Sequence, residues 1–141
     1  MFKVGLFGTC NETSWRDEII PLLKCEYFNP VITDRPWTEE DRLNEIKERK
    51  ASSVNLYVLT PCMTGLFSIA EMIDDSNKRP DKTVLYIKKT DITSEGVRIK
   101  FLPSSEKYMD AIKELARTNG VKICDSIEEA AEYLNSLQEK Q

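Results

Sequence analysis

Histidine is missing from all 141 residues. Without imidazole there is no Ser-His or Cys-His nucleophile pair, and nearly every His-bearing metal site is excluded. Chemistry must then rest on carboxylates, hydroxyls, thiols or backbone groups. The four cysteines, Cys10, Cys25, Cys62 and Cys124, form no CxxC pair and lie one per segment, the pattern of reduced, half-buried thiols rather than of a disulfide framework. Glycine is scarce, and neither a GxGxxG dinucleotide fingerprint nor a GK[ST] phosphate loop occurs. No uncharged apolar run is long enough to span a bilayer, and "MFKVGLFGTC" enters strand-like sequence with no signal-peptide pattern, so a cytoplasmic location without membrane contact is expected. Neither sign of charge dominates: 24 acidic and 20 basic residues leave a net charge of -4. No broad positive field exists to gather intact nucleic acid by counterion release, although a single nucleotide is not excluded.

What is present reads as one ordinary globular domain over residues 1–141, with 40% hydrophobic and 31% charged residues and length enough to bury a core. Strand-type runs occur at Lys3–Gly8, around Tyr27–Phe28, and at Val54–Thr60, Thr83–Ile87 and Val121–Cys124. Helical periodicity fills Ser14–Lys24, Thr38–Ala51, Leu66–Asp75, Ser104–Thr118 and Ser126–Leu137. Such β-α alternation predicts an α/β fold: a doubly wound, flavodoxin-like, five-stranded parallel sheet of order 2-1-3-4-5 with helices on both faces. Ser14, Thr38 and Ser126 are placed as N-caps before acidic first turns, and Asn119-Gly120 ends the fourth helix. The segment Lys88–Pro103 is irregular, with an alternating "VRIKF" that fits an extra extended segment or a lid.

In such sheets ligands collect at the carboxyl ends of the strands where strand order reverses, here between "FGTCNETSWR" and "TPCMTGLFSIAE". The first loop brings small, amide and hydroxyl residues and an indole together, which suits a sugar or phosphate below a stacked base. In the second, a helical wheel gathers Leu66, Ile69, Ala70 and Ile73 on a core-facing arc, with Thr64, Ser68, Glu71 and Asp75 opposite. Periodicity alone makes that polar stripe a solvated face. Its start at the end of the central strand makes it instead a wall of the crevice.

Gly8-Thr9, Ser14-Trp15-Arg16, Phe28-Asn29-Pro30 followed by Trp37, and "LYVLTPCMTGLFSIAEM" together resemble the nucleoside 2-deoxyribosyltransferase-like family. The likeness covers about residues 1–87, and "NGVKICDSIEEAAEYL" suits the family's last strand and helix. The resemblance implies N-glycosidic cleavage or transfer on a 2'-deoxynucleoside or deoxynucleotide, without cofactor or metal, in a homo-oligomer. It matches Glu71, ten positions after Pro61, to the nucleophile that attacks the anomeric carbon. Ser68 would orient that carboxylate, and Glu45, on the preceding helix, or a water would shuttle the proton to the leaving base. Phe7, Trp15 and Trp37 would stack on the base, Gly8, Thr9 and Asn11 would hold sugar or 5'-phosphate, and Met63 and Thr64 would complete the pocket. Glu71 is expected to be ionised at neutral pH by its place near a helix N-terminus. Family transferases carry aspartates where this chain has Ser53 and the loop Met63–Gly65, so base-proton handling would fall to Thr64, water or Glu45. Without those aspartates the same features also suit an inactive nucleotide-binding or sensing module. A flavodoxin-type electron carrier fits less well, since no Ser/Thr-rich phosphate loop follows the first strand.

Overall fold

The computed structural model describes residues 1–10 and 12–141. Its sheet strands are β1 (Lys3–Gly8), β2 (Glu26–Phe28), β3 (Val54–Leu59), β4 (Thr83–Ile87) and β7 (Lys122–Cys124). All four strand pairings are parallel, in the order β2-β1-β3-β4-β7, the expected doubly wound arrangement. Helices α1 (Trp15–Ile19), α2 (Glu39–Ala51), α3 (Phe67–Lys78), α4 (Pro103–Thr118) and α5 (Ile127–Glu139) flank it. The irregular segment resolves into a separate antiparallel ribbon of β5 (Thr90–Ile92) and β6 (Arg98–Lys100). Among the described residues no helix is long and apolar enough to cross a membrane.

Strand β3 is buried along its whole length and β1 from Val4 onward, as a sheet covered on both faces requires. Their alternate side chains feed two cores. One gathers Val4, Leu6, Leu56 and Val58 with Trp15 and Ile19 of α1 and Ile127, Ala130 and Leu134 of α5. The other gathers Phe7, Tyr57, Leu59 and Leu85 with Met72 of α3 and Met109 of α4. Helix α2 contributes no buried residue; it lies against the domain through ion pairs such as Lys3 with Glu48 (2.8 Å) and those of Arg49 described below.

Local chemistry sets the element ends. Thr38 and Asp41 form a reciprocal capping box on α2, and the Ser126 hydroxyl accepts from the Glu129 amide. Ser14 makes no such bond, so its expected cap is absent. The first helix is also shorter than its periodicity, turning into a 3-10 turn at Ile20–Leu22 because Pro21 has no N–H and blocks a continuing α-helix. Strand β1 ends at Gly8, whose φ of 117° favours glycine. A Cβ there would collide with the Val58 carbonyl, so only glycine lets the two central strands end side by side at the crevice.

Candidate active site

At the carboxyl ends of β1 and β3 lie three concavities that share Cys10. The largest, about 460 Å³, has polar walls that include Thr13, Ser14, Arg16, Asn29 and the ribbon residues Thr93 and Ser94. The second, about 310 Å³, is lined by Cys10, Pro30, Val31, Ile32, Trp37 and Glu45. The third, about 190 Å³, runs from Gly8 and Thr9 across Met63 and Thr64 to Phe67 and Ser68 at the start of α3. They meet at Cys10 and form one crevice, of which the second compartment is the most apolar. The ribbon is fastened over it by Asp91, a buried carboxylate that accepts from the hydroxyls of Thr13 (2.6 Å) and Thr60 (2.5 Å) and from the Ile92 amide (2.8 Å). Those hydrogen bonds hold its carboxyl below the usual aspartate range against the opposing effect of burial.

Helix α3 is turned differently from the wheel's prediction. Leu66 and Phe67 are each 74% exposed and Ala70 faces solvent, whereas Glu71, Met72, Asp75 and Ser76 are buried. Ile69 and Ile73 pack at the margin of the core. The polar stripe therefore faces inward, which a helix tolerates only if every buried charge finds a partner. Asp75 does: it accepts from Tyr57 Oη (2.5 Å), Arg49 Nη1 (2.9 Å), Asn55 Nδ2 (3.1 Å) and Arg79 Nη2 (3.1 Å). Asp75 is 2% exposed, a carboxylate of the interior and not of a solvated face, while Asp74 pairs with Lys78 at 3.0 Å.

Glu71 belongs to the same inward cluster and is 8% exposed. Arg49 Nε lies 3.3 Å from its Oε2 but is not aligned for a hydrogen bond, so the contact is one of charge. Burial and then the negative charge of Glu45 push the Glu71 carboxyl up to about 7, against the opposing pull of Arg49. The ionised state expected from the helix dipole is thus only half populated near neutrality, because desolvation outweighs a dipole effect of about 0.3–1 kcal/mol. Glu45, half-buried on α2, is also raised, chiefly by burial, with Arg16 and Arg49 working the other way. Of the two acids, Glu45 lines the crevice, and Glu71 is not among the lining residues of the three concavities.

The remaining candidate residues divide. Trp37, 47% exposed, stands in the wall of the apolar compartment; Gly8, Thr9, Met63, Thr64 and Ser68 line the smallest one. Three expected roles fail. Trp15 is wholly buried in the core beside α5, its indole N–H donating to the Thr9 carbonyl (2.8 Å), so it cannot stack on a base. Phe7 is 2% exposed in the opposite core, tilted against Phe28 and Tyr57 with centroids 6.1 and 5.8 Å away. The Ser68 hydroxyl donates to the Gly8 carbonyl (3.1 Å) rather than to Glu71, pinning α3 to the end of β1. Thr9 is likewise committed, its hydroxyl accepting from the Thr60 amide (3.0 Å). Asn11 lies outside the described residues.

Local patterning missed Arg49, Cys10 and Asp91, and named Arg16 in the first loop without giving it a role. Arg16 is 5% exposed, its guanidinium donating to the carbonyls of Leu6 (3.2 and 3.0 Å) and Thr9 (2.6 Å) and stacking on Trp15 at 4.2 Å. The one available signal was the placement of Arg49 a turn after Glu45, on the same side of α2. Together the fold and crevice define a doubly wound α/β domain with an acid-bearing cleft at its topological switch point. Compared with known proteins, the chain matches no family model, no curated protein and no solved structure.

Proposed function

We propose that the protein cleaves or transfers the N-glycosidic bond of a deoxynucleoside-type substrate, with Glu71 as nucleophile and Glu45 as proton carrier. The observation that carries this reading is a pair of carboxylates on helices joined by the Arg49 ion pairs, Glu71 buried on α3 and Glu45 half-buried on α2, the second of them in the wall of the compartment that holds Trp37. Two carboxyl groups with distinct environments are the equipment of double-displacement glycosidic chemistry. Glu71 lies one helical turn beyond Ser68, and helical side chains lean toward the preceding turn, so a sugar in the small cavity approaches the carboxylate from the Ser68 side. Trp37 offers a stacking surface for the base, and Glu45 takes the proton of the water that resolves the glycosyl-enzyme. Ser68 acts by holding α3 to β1 through the Gly8 carbonyl. The test is incubation with a panel of deoxynucleosides and their monophosphates, read by chromatography for free base: release is expected, and no release or exchange across the panel overturns the activity. The same crevice would then belong to a nucleotide-binding or sensing module, a reading favoured by the absence of Glu71 from its lining.

The exposed Leu66 and Phe67, with Ala70 beside them, support a homo-oligomer in which a second copy covers the start of α3 next to the small cavity. Light scattering is expected to give a multiple of 16.3 kDa for the wild-type chain and a monomer for Phe67→Glu. A monomeric wild type would refute the assembly.

A further inference from the structure

The charges around the crevice are unevenly distributed. Among the described residues, Arg16 is the only basic side chain lining any of the three concavities, where Glu12, Asp17 and Glu45 also stand. Arg16 is not free to meet an anion, because its N–H groups serve the carbonyls of Leu6 and Thr9 and its Nη2 lies 3.7 Å from Cys10 Sγ. Arg49, the other cation acting on Glu45, is committed to Glu71, Asp74 and Asp75. Among the described residues, the apolar compartment therefore offers a ligand one indole, three aliphatic side chains, a thiol and a half-buried carboxylate, with no basic lining group. An aromatic face beside an acid in a largely apolar wall is the chemistry that recognises a delocalised cation. It gives little to a phosphate.

We propose that the compartment formed by Trp37 and Glu45 takes the base of a nucleoside whose ring is a fixed heteroaromatic cation, such as a pyridinium or an N-alkylated purinium. This rests on the glycosidic reading above and specifies its substrate. The chemistry agrees with the residues present, since a neutral base must gain a proton as it leaves, and the loop Met63–Gly65 holds no acid, which leaves that proton to Glu45. A cationic base needs none. A Glu71 oxygen would form the bond to the anomeric carbon while the carbon–nitrogen bond breaks toward the ring, its electron pair cancelling the ring's positive charge. Water then attacks the anomeric carbon, Glu71 departs as carboxylate, and the water proton passes to Glu45.

The experiment measures binding and cleavage separately. Glu71→Gln protein, which holds a complex without turnover, is titrated calorimetrically with the 2'-deoxyriboside of nicotinamide, a fixed cation, and with its reduced dihydro form, which is neutral and nearly the same shape. The cation is expected to bind about tenfold more tightly. That preference should collapse in the same background with Glu45→Gln, and affinity for the cation should fall with Trp37→Leu, an exposed position whose loss does not disturb either core. Equal or tighter binding of the dihydro form overturns the proposal, as does no binding of either. Nicotinamide release by the wild-type protein is the second arm. A cation preference without release sustains the ligand assignment and ends the glycosidase reading, whereas release of bases from neutral deoxynucleosides without any cation preference does the reverse.

Discussion

Glu71→Gln is expected to lower glycosidic cleavage by on the order of 10³-fold or more and, above neutral pH, to make the protein more stable. Both results come from one fact: the carboxyl group is buried beside Glu45 with its value raised to about 7. As a nucleophile it must be ionised, so kcat/KM should climb with pH through an inflection near 7 and be nearly lost at pH 5. Stability runs the opposite way. In the unfolded chain the group ionises near its ordinary 4.5, so between 4.5 and about 7 the folded state holds the extra proton and stability declines as pH rises. Below that window the linkage costs nothing, because both states are protonated. Moving a carboxyl from 4.5 to about 7 corresponds to about 3 kcal/mol, which sets the upper size of the gain in Glu71→Gln at pH 8. Urea denaturation of both proteins at pH 5 and pH 8 reads it directly. A variant no more stable than wild type at pH 8, or an activity flat across pH 5 to 8, would contradict the buried, raised acid.

The β-α alternation, the sheet order and the position of the crevice follow from patterns local in sequence: apolar runs of strand length, caps, and the rule that parallel strands are joined by crossover helices. Residue orientation does not follow in the same way. The wheel for α3 placed Leu66 and Ala70 inside because an apolar arc is the cheapest face to bury. The structure buries Glu71 and Asp75 instead, and the reason lies far away in sequence: Tyr57 and Asn55 on β3, and Arg49 on α2, supply the donors that satisfy them. No window of one helical length contains those partners. Trp15 and Phe7 illustrate the same limit. Each lies near the crevice along the chain, but which side of a covered sheet a residue enters is decided by the helices packed there, and both aromatic rings were drawn into opposite cores. Trp37, in a loop before α2 with no core to claim it, kept the exposure that a ligand contact needs.

Arg49→Met should be the most damaging single change to the fold outside the apolar cores. The guanidinium, 13% exposed, is shared among Glu71 (3.3 Å), Asp74 (3.5 Å) and Asp75 (2.9 Å). Removing it leaves Glu71 buried with no cation, while Asp74 keeps Lys78 and Asp75 keeps Arg79, and breaking a buried ionic cluster in this way costs about 3–5 kcal/mol. The loss should be larger at pH 8 than at pH 6, because a protonated Glu71 no longer needs a counter-charge while an ionised one does. Arg49 pulls the Glu71 value down, so its removal should also move the Glu71 titration, followed by carbon NMR of the labelled carboxyl, to a pH above 7. Arg49→Lys keeps the charge but not the planar fork that reaches several carboxylates at once, and should retain most of the Glu71 titration while losing part of the stability. Adding Glu71→Gln to Arg49→Met removes the stranded charge and should restore stability relative to the single variant, a non-additivity expected only of groups in one network. Additive losses, together with an unmoved Glu71 titration, would mean that Arg49 merely packs against α3 and that the acid is tuned by burial alone.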